Sequence, residues 1–242
     1  MKSIFPSIVS LFIYLSALSQ EKIMIINSVH LSKKIKVVTY NTGVKTKKKP
    51  IVYITDGEKF INNGSLQKVQ FLTEKEKIPA AHYVFVSTVD PKTKEDYRNY
   101  YFFNNPKYLD FFEYELIPRI ETPLLTYIKP EDRSLIGISF GGLNAAYFSA
   151  KSKKFKKFAL LSPVTYPRNE ELMKAISFSE NKDLSIFLST GTNDSENYFK
   201  ELKAMYTSKN YHIKTIKTNG GHDFKNWNGQ LTLVLTFLLS GF

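Results

Sequence analysis

The sequence predicts an α/β fold built on one mostly parallel sheet, with antiparallel strands at its N-terminal end and helices on both faces. Three observations carry that expectation. From residue 51 onward short apolar runs recur that are continuous rather than alternating, as strands buried on both faces require. Helical candidates separate these runs, so strand and helix alternate along the chain. The 242 residues, 43% hydrophobic and 14% aromatic, suit one domain with ample apolar surface to offset the entropy of ordering it.

Taken in order, residues 1–19 read as a secretory signal. Lys2 supplies a short positive start, residues 4–18 are apolar apart from serines and Pro6, and Ala17-Leu18-Ser19 offers small residues for cleavage. Cleavage there leaves a mature domain of residues 20–242, periplasmic or secreted. A retained membrane anchor is the alternative, but the run is shorter than the usual span of about 20 residues, so no stable membrane insertion is expected after cleavage. Residues 22–31 and 34–40 are extended and, with the loop 41–50, read as a hairpin of antiparallel edge strands. The buried runs follow at 51–55, 81–89, 134–138, 158–161, 184–189 and 212–218. Helical candidates lie at 66–75, 109–128, 142–150, 170–176, 195–208 and 226–239. Pro118 and Pro123 interrupt the second of these and predict a kink or two helices. No repeat, low-complexity tract or linker marks a second domain.

Composition narrows the chemistry. The chain has no cysteine, which removes disulfides, thiolate metal sites and lipid attachment at a leader cysteine. A formal net charge of +12 suits an anionic partner, yet the excess is mostly lysine in short runs such as 45–49 and 151–157. Such runs are ordinarily solvated faces, so no nucleic-acid partner is expected.

One segment stands out as a nucleophile site. Ser134-Leu135-Ile136-Gly137-Ile138-Ser139-Phe140-Gly141-Gly142 passes from an apolar strand into small residues that open a helix, and contains G-x-S-x-G. A serine on such a strained strand-to-helix turn needs glycines around it, because side chains there collide with strand and helix. The helix that follows points its positive end at the serine, favouring a developing oxyanion. The plainer alternative is a glycine-rich turn with an idle serine.

A serine hydroxyl needs a base, nearly always histidine, and the chain has four. His30, His82 and His212 lie in or at the start of extended segments and suit packing or surface roles. His222 sits in Asn219-Gly220-Gly221-His222-Asp223-Phe224, a glycine turn between an apolar run and the last helix, where it can hang at the carboxyl edge of the sheet. In the chain order serine, acid, histidine the acid falls between Ser139 and His222. Asp194 follows the 184–188 run on a strand-end loop and is assigned that role, an Asx or N-cap role starting the helix at Ser195 being its alternative. Asp183 precedes its strand, Asp223 adjoins the base, and Asp56 precedes the serine. The oxyanion donors expected are the backbone amides of Phe140 and of Glu58, the latter on the loop after the 51–55 run, with Gly57 beside it.

These pieces in this order resemble the esterase family of the α/β-hydrolase superfamily that includes enterochelin (siderophore) esterases, ferulic acid esterases, S-formylglutathione hydrolases and mycobacterial mycolyltransferases. The resemblance rests on Tyr53-Ile54-Thr55-Asp56-Gly57, on the serine elbow 137–142, on the acid loop 191–194, and on Gly220-Gly221-His222-Asp223 with Trp227. It implies an α/β-hydrolase fold, catalytic Ser139, His222 and Asp194, oxyanion amides at Phe140 and Glu58, and no metal or cofactor. Some siderophore esterases of this family work with serine and histidine alone. Arg98 lies where relatives carry substrate-contacting residues, with a plain surface arginine as the alternative. The expected substrate is a small-molecule ester, with siderophore or plant-phenolic esters as special cases suited to the aromatic-rich stretch 97–114. An acyltransferase with the same residues, or a catalytically silent binding protein on the same scaffold, are the other functions weighed.

Overall fold

A computed structural model describes residues 20–43 and 48–241. The signal expected at 1–19 and the first part of the lysine run at 45–49 lie outside the described residues.

Two nine-residue strands, β1 (Gln20–Ser28) and β2 (Lys33–Asn41), form the antiparallel hairpin read from the sequence. The remaining strands are β3 (Ile51–Ile54), β4 (His82–Val86), β5 (Arg133–Ile138), β6 (Lys157–Leu161), β7 (Ser185–Asn193) and β8 (His212–Gly221). All eight join one sheet in the order β1-β2-β4-β3-β5-β6-β7-β8. Pairing is parallel from β4 through β8, and antiparallel between β1 and β2 and between β2 and β4. Every residue of β3 and β5 is buried, which explains their continuous hydrophobicity. β8 differs from expectation. As the outer strand it has no fully buried residue, because only one neighbour and one packed face protect it.

Helices α1 (Gly57–Asn62), α2 (Ser65–Glu74) and α9 (Phe224–Leu238) cover one face of the sheet, around a core that includes Phe60, Val69, Phe85 and Leu235. The other face carries α3 (Arg98–Phe102), α4 (Pro106–Asp110), α5 (Ile117–Glu121), α6 (Phe140–Lys151), α7 (Asn169–Ser177) and α8 (Asn197–Ser208). Their core includes Tyr53, Phe112, Phe148 and Leu188. Between α4 and α5 the chain makes a widened π turn over Phe111–Leu116. Pro118 falls in α5 directly after this π turn, and Pro123 in the 3₁₀ turn Thr122–Leu124, so the segment is divided into short helical pieces where the prolines interrupt it. Among the described residues no helix is long and apolar enough to cross a membrane.

Helices α1 and α3 are absent from the sequence expectation. The first opens on Gly57 and has no side-chain cap. The second is five residues, three of them aromatic, and carries neither a cap signal nor the length that shows periodicity. Both flank the serine elbow described next.

Candidate active site

The elbow follows from the end of β5. Ser139 adopts φ 55° and ψ −120°, outside the ordinary regions for an L-residue. Such a conformation costs about 1–3 kcal/mol and persists only where the surroundings over-determine it. Here they do: Ser139 N–H donates to the Leu161 carbonyl at 3.0 Å, and its own carbonyl accepts from Gly142 at 2.9 Å and Val164 at 3.1 Å. A Cβ on Gly137 would collide with the Gly141 carbonyl, so the turn closes only with glycine there. Ser139 itself remains half-buried, presented at the carboxyl edge of the sheet.

The residues expected as acid and base, Asp194 and His222, sit at the same edge, beyond β7 and β8. Gly221 ends β8, His222 follows, and Asp223 caps α9 by accepting from the Asn226 amide at 2.9 Å. Asp194 follows the last residue of β7, and both its carboxylate oxygens lie 3.1 Å from His222 Nδ1. The acid side chain is 7% exposed and the imidazole 36%. The N-cap alternative for Asp194 does not hold: it accepts from the adjacent Ser195 amide, while α8 starts only at Asn197.

Trp227, on the first turn of α9, ties the two halves together. Its Nε1 donates to Ser162 Oγ at 2.9 Å, one residue beyond the Leu161 carbonyl that holds Ser139. Its ring meets the His222 ring edge-to-face at 5.0 Å. The structure thus brings His222 and Asp194 into contact and sets Ser139 on the same rim. No hydrogen bond joins Ser139 Oγ to His222 among the described residues; in unliganded sites such bonds are often long and tighten with substrate.

The two amides expected at the oxyanion site are both first-turn helical donors. Phe140 opens α6, and Glu58 is the second residue of α1 rather than part of a loop, which corrects the expected local structure. First-turn N–H groups have no partner within their own helix and are available to a ligand. The Glu58 side chain turns elsewhere, accepting from Thr88 N at 3.1 Å and Thr88 Oγ1 at 3.0 Å.

Arg98 departs from the surface alternative. It is not a free surface arginine. Its side chain is 15% exposed and bidentate on Asp56, whose own side chain is 0% exposed. Reading the sequence missed this pair because 42 residues separate its members; the only available signal was an Asp that fitted no catalytic role.

The other histidines lie elsewhere. His82 and His212 begin β4 and β8, at the opposite edge of the sheet, and His30 approaches Asp110 at 4.0 Å. Burial, with the nearby Lys49 charge, lowers the His82 pKa to about 4. Among the described residues no cluster of three or more His, Cys, Asp or Glu is arranged to hold a metal ion.

The sheet order, the strained serine elbow and the helices on both faces define a protein of the α/β-hydrolase type. The chain belongs to the family described as Putative esterase, whose model matches residues 28–238. Among solved structures it is similar to the enterobactin esterase FES from Shigella flexneri, with a TM-score of 0.81 and 23% identity, covering 90% of this chain and 58% of that one. It is also similar to a ferulic acid esterase (TM-score 0.75, 18% identity, 93% of this chain and 99% of that one). A third is the enterobactin hydrolase IroE in complex with DFP (TM-score 0.73, 16% identity, 93% and 97%). The chain therefore spans well under two thirds of the Shigella esterase and nearly the whole of the other two.

Proposed function

We propose that this protein is a serine carboxylic ester hydrolase in which Ser139 is the nucleophile, His222 the general base and Asp194 the orienting acid. The observation that carries the reading is the φ 55°, ψ −120° conformation of Ser139 at the end of β5, together with the His222–Asp194 contact on the same sheet edge. His222 Nε2 takes the hydroxyl proton as Ser139 Oγ attacks the ester carbonyl, and Asp194 holds Nδ1 protonated and the ring oriented. The Phe140 and Glu58 amides receive the negative charge on the carbonyl oxygen. Collapse releases the alcohol, protonated by His222, and leaves an acyl-enzyme at Ser139. Water, deprotonated by the same imidazole, then frees the acid.

The aromatic stretch supports a phenolic ester as the special case. Most of it is core: Tyr101, Tyr108, Phe111 and Phe112 are buried. Phe103, however, packs edge-on against Phe140 with ring centres 5.0 Å apart, and Tyr100 on the same segment is exposed. An aromatic border therefore adjoins the nucleophile, a surface suited to stacking on the kind of ester for which the enterobactin and ferulic acid relatives are named.

The test is a panel of p-nitrophenyl acyl esters alongside ferric-siderophore and feruloyl esters, run on the wild type and Ser139→Ala. Hydrolysis by the wild type and loss of about 10⁴-fold or more in Ser139→Ala is expected. Near-full turnover in the variant rejects Ser139. A folded wild type that hydrolyses nothing and takes no fluorophosphonate label favours a binding protein, and acyl transfer that outcompetes hydrolysis favours a transferase.

A further inference from the structure

We propose that Arg98 is a positioning residue for the oxyanion site, setting the separation between its two amide donors. The inference rests on Ser139 being the nucleophile, with Phe140 and Glu58 as donors. Arg98 bridges the segments that carry them. Its Nε and Nη2 donate to the two oxygens of Asp56 at 2.6 and 2.9 Å, and Nη2 donates also to the Ile138 carbonyl at 3.0 Å. Asp56 lies two residues before Glu58, and Ile138 immediately before Ser139. One planar group thus clasps the start of α1 to the end of β5.

The clasp is enclosed. The guanidinium carbon lies 5.4 Å from the Phe102 ring centre and 5.3 Å from that of Phe140, so the two rings flank it. Asp56, in a left-handed conformation at φ 54°, gives no cap bond to α1 because its carboxylate is turned to Arg98 and, at 3.3 Å, to Lys59. The same carboxylate lies beside the elbow, leaving little room there for more than glycine: a Cβ on Gly141 would lie 3.1 Å from Asp56 Oδ2. Arg98 is itself anchored, its amide donating to Asp96 at 3.0 Å, and the Thr88 hydroxyl lies 2.8 Å from Asp96 and 3.0 Å from Glu58. The circuit therefore closes on the residue whose amide is the second donor.

Oxyanion donors act only when both sit about 2.7–3.1 Å from the position the charge will occupy. A guanidinium matches a carboxylate in two places and still reaches a third acceptor, which an ammonium on a flexible stem does not. Arg98 contributes by geometry. Two of its three nitrogens are committed to Asp56 and Ile138, which is the geometry of a brace between segments.

The experiment uses Arg98→Lys, which keeps the charge and loses the fork, and the double variant Asp56→Asn/Arg98→Met, which strands no buried charge and so preserves the fold. For each, kcat and KM with p-nitrophenyl acetate are measured per active site, with the rate of fluorophosphonate labelling at Ser139 and the Tm. In both variants kcat and labelling rate are expected to fall at least about tenfold, while KM stays within about threefold and the protein remains folded. The proposal is overturned if a folded variant keeps kcat per site and labelling within about threefold of wild type, as a purely structural role predicts. A loss confined to KM overturns it too, by assigning Arg98 to substrate contact. A wild type left unlabelled removes Ser139 as nucleophile and this proposal with it, an outcome distinct from variants that label as fast as wild type.

Discussion

On the serine side of the site, Ser139 follows a strand whose every residue is buried, flanked by β3 and β6, and its backbone is held by Leu161, Gly142 and Val164. On the histidine side, His222 stands 36% exposed beyond the outer strand β8, held by the Asp194 carboxylate and the Trp227 ring. The first half is specified by backbone in the middle of the sheet. The second depends on a few side-chain contacts at its margin. The strained part of the site is therefore where the fold can over-determine a conformation, and the proposed base, which in that reading moves a proton between serine and leaving group, is held by fewer and more exposed contacts.

That contrast is broken most severely at Gly137. Changing it to Ala puts a methyl against the Gly141 carbonyl, backbone against which nothing can yield cheaply. We expect a loss of about 3 kcal/mol or more and a Tm lower by roughly 10 °C, measured by thermal unfolding; an unchanged Tm shows that the elbow is not held as described. Asp194→Asn perturbs the other half. It should lower Tm less than Gly137→Ala does, since the substitution keeps the side chain's shape and the His222 side of the contact is open to water. Steady-state kinetics should nevertheless show kcat/KM reduced about 10²- to 10⁴-fold, because the imidazole loses the acceptor that fixes its tautomer. Activity within about threefold of wild type would mean that serine and histidine suffice.

The same division explains what could be read in the sequence. Ser139 was legible because its glycines stand at fixed offsets along one strand-turn-helix unit. His222 and Asp194 were legible because a parallel sheet places strand-end loops on one rim, whatever their distance in sequence. The Arg98–Asp56 clasp and the Trp227–Ser162 bond were not, because they join side chains 42 and 65 residues apart whose local surroundings carry no periodic signal. Helix α1 escaped notice for a related reason: Asp56 and Gly57 look like a turn, and only the Arg98 contact shows why Asp56 leaves the helix uncapped. Lone patterns of hydrophobicity also made β8 look buried when it is an edge, since strand order is set by tertiary pairing.

The central claim is that Ser139 and His222, though not hydrogen-bonded to one another here, work as one unit. Its most direct measurement is kcat/KM for Ser139→Ala, His222→Ala and the double variant on one p-nitrophenyl ester. If the two act together, either single change falls to the same residual rate as the double, about 10⁴-fold or more below wild type. Losses that multiply in the double variant, or a His222→Ala enzyme that keeps most of its activity, would contradict it.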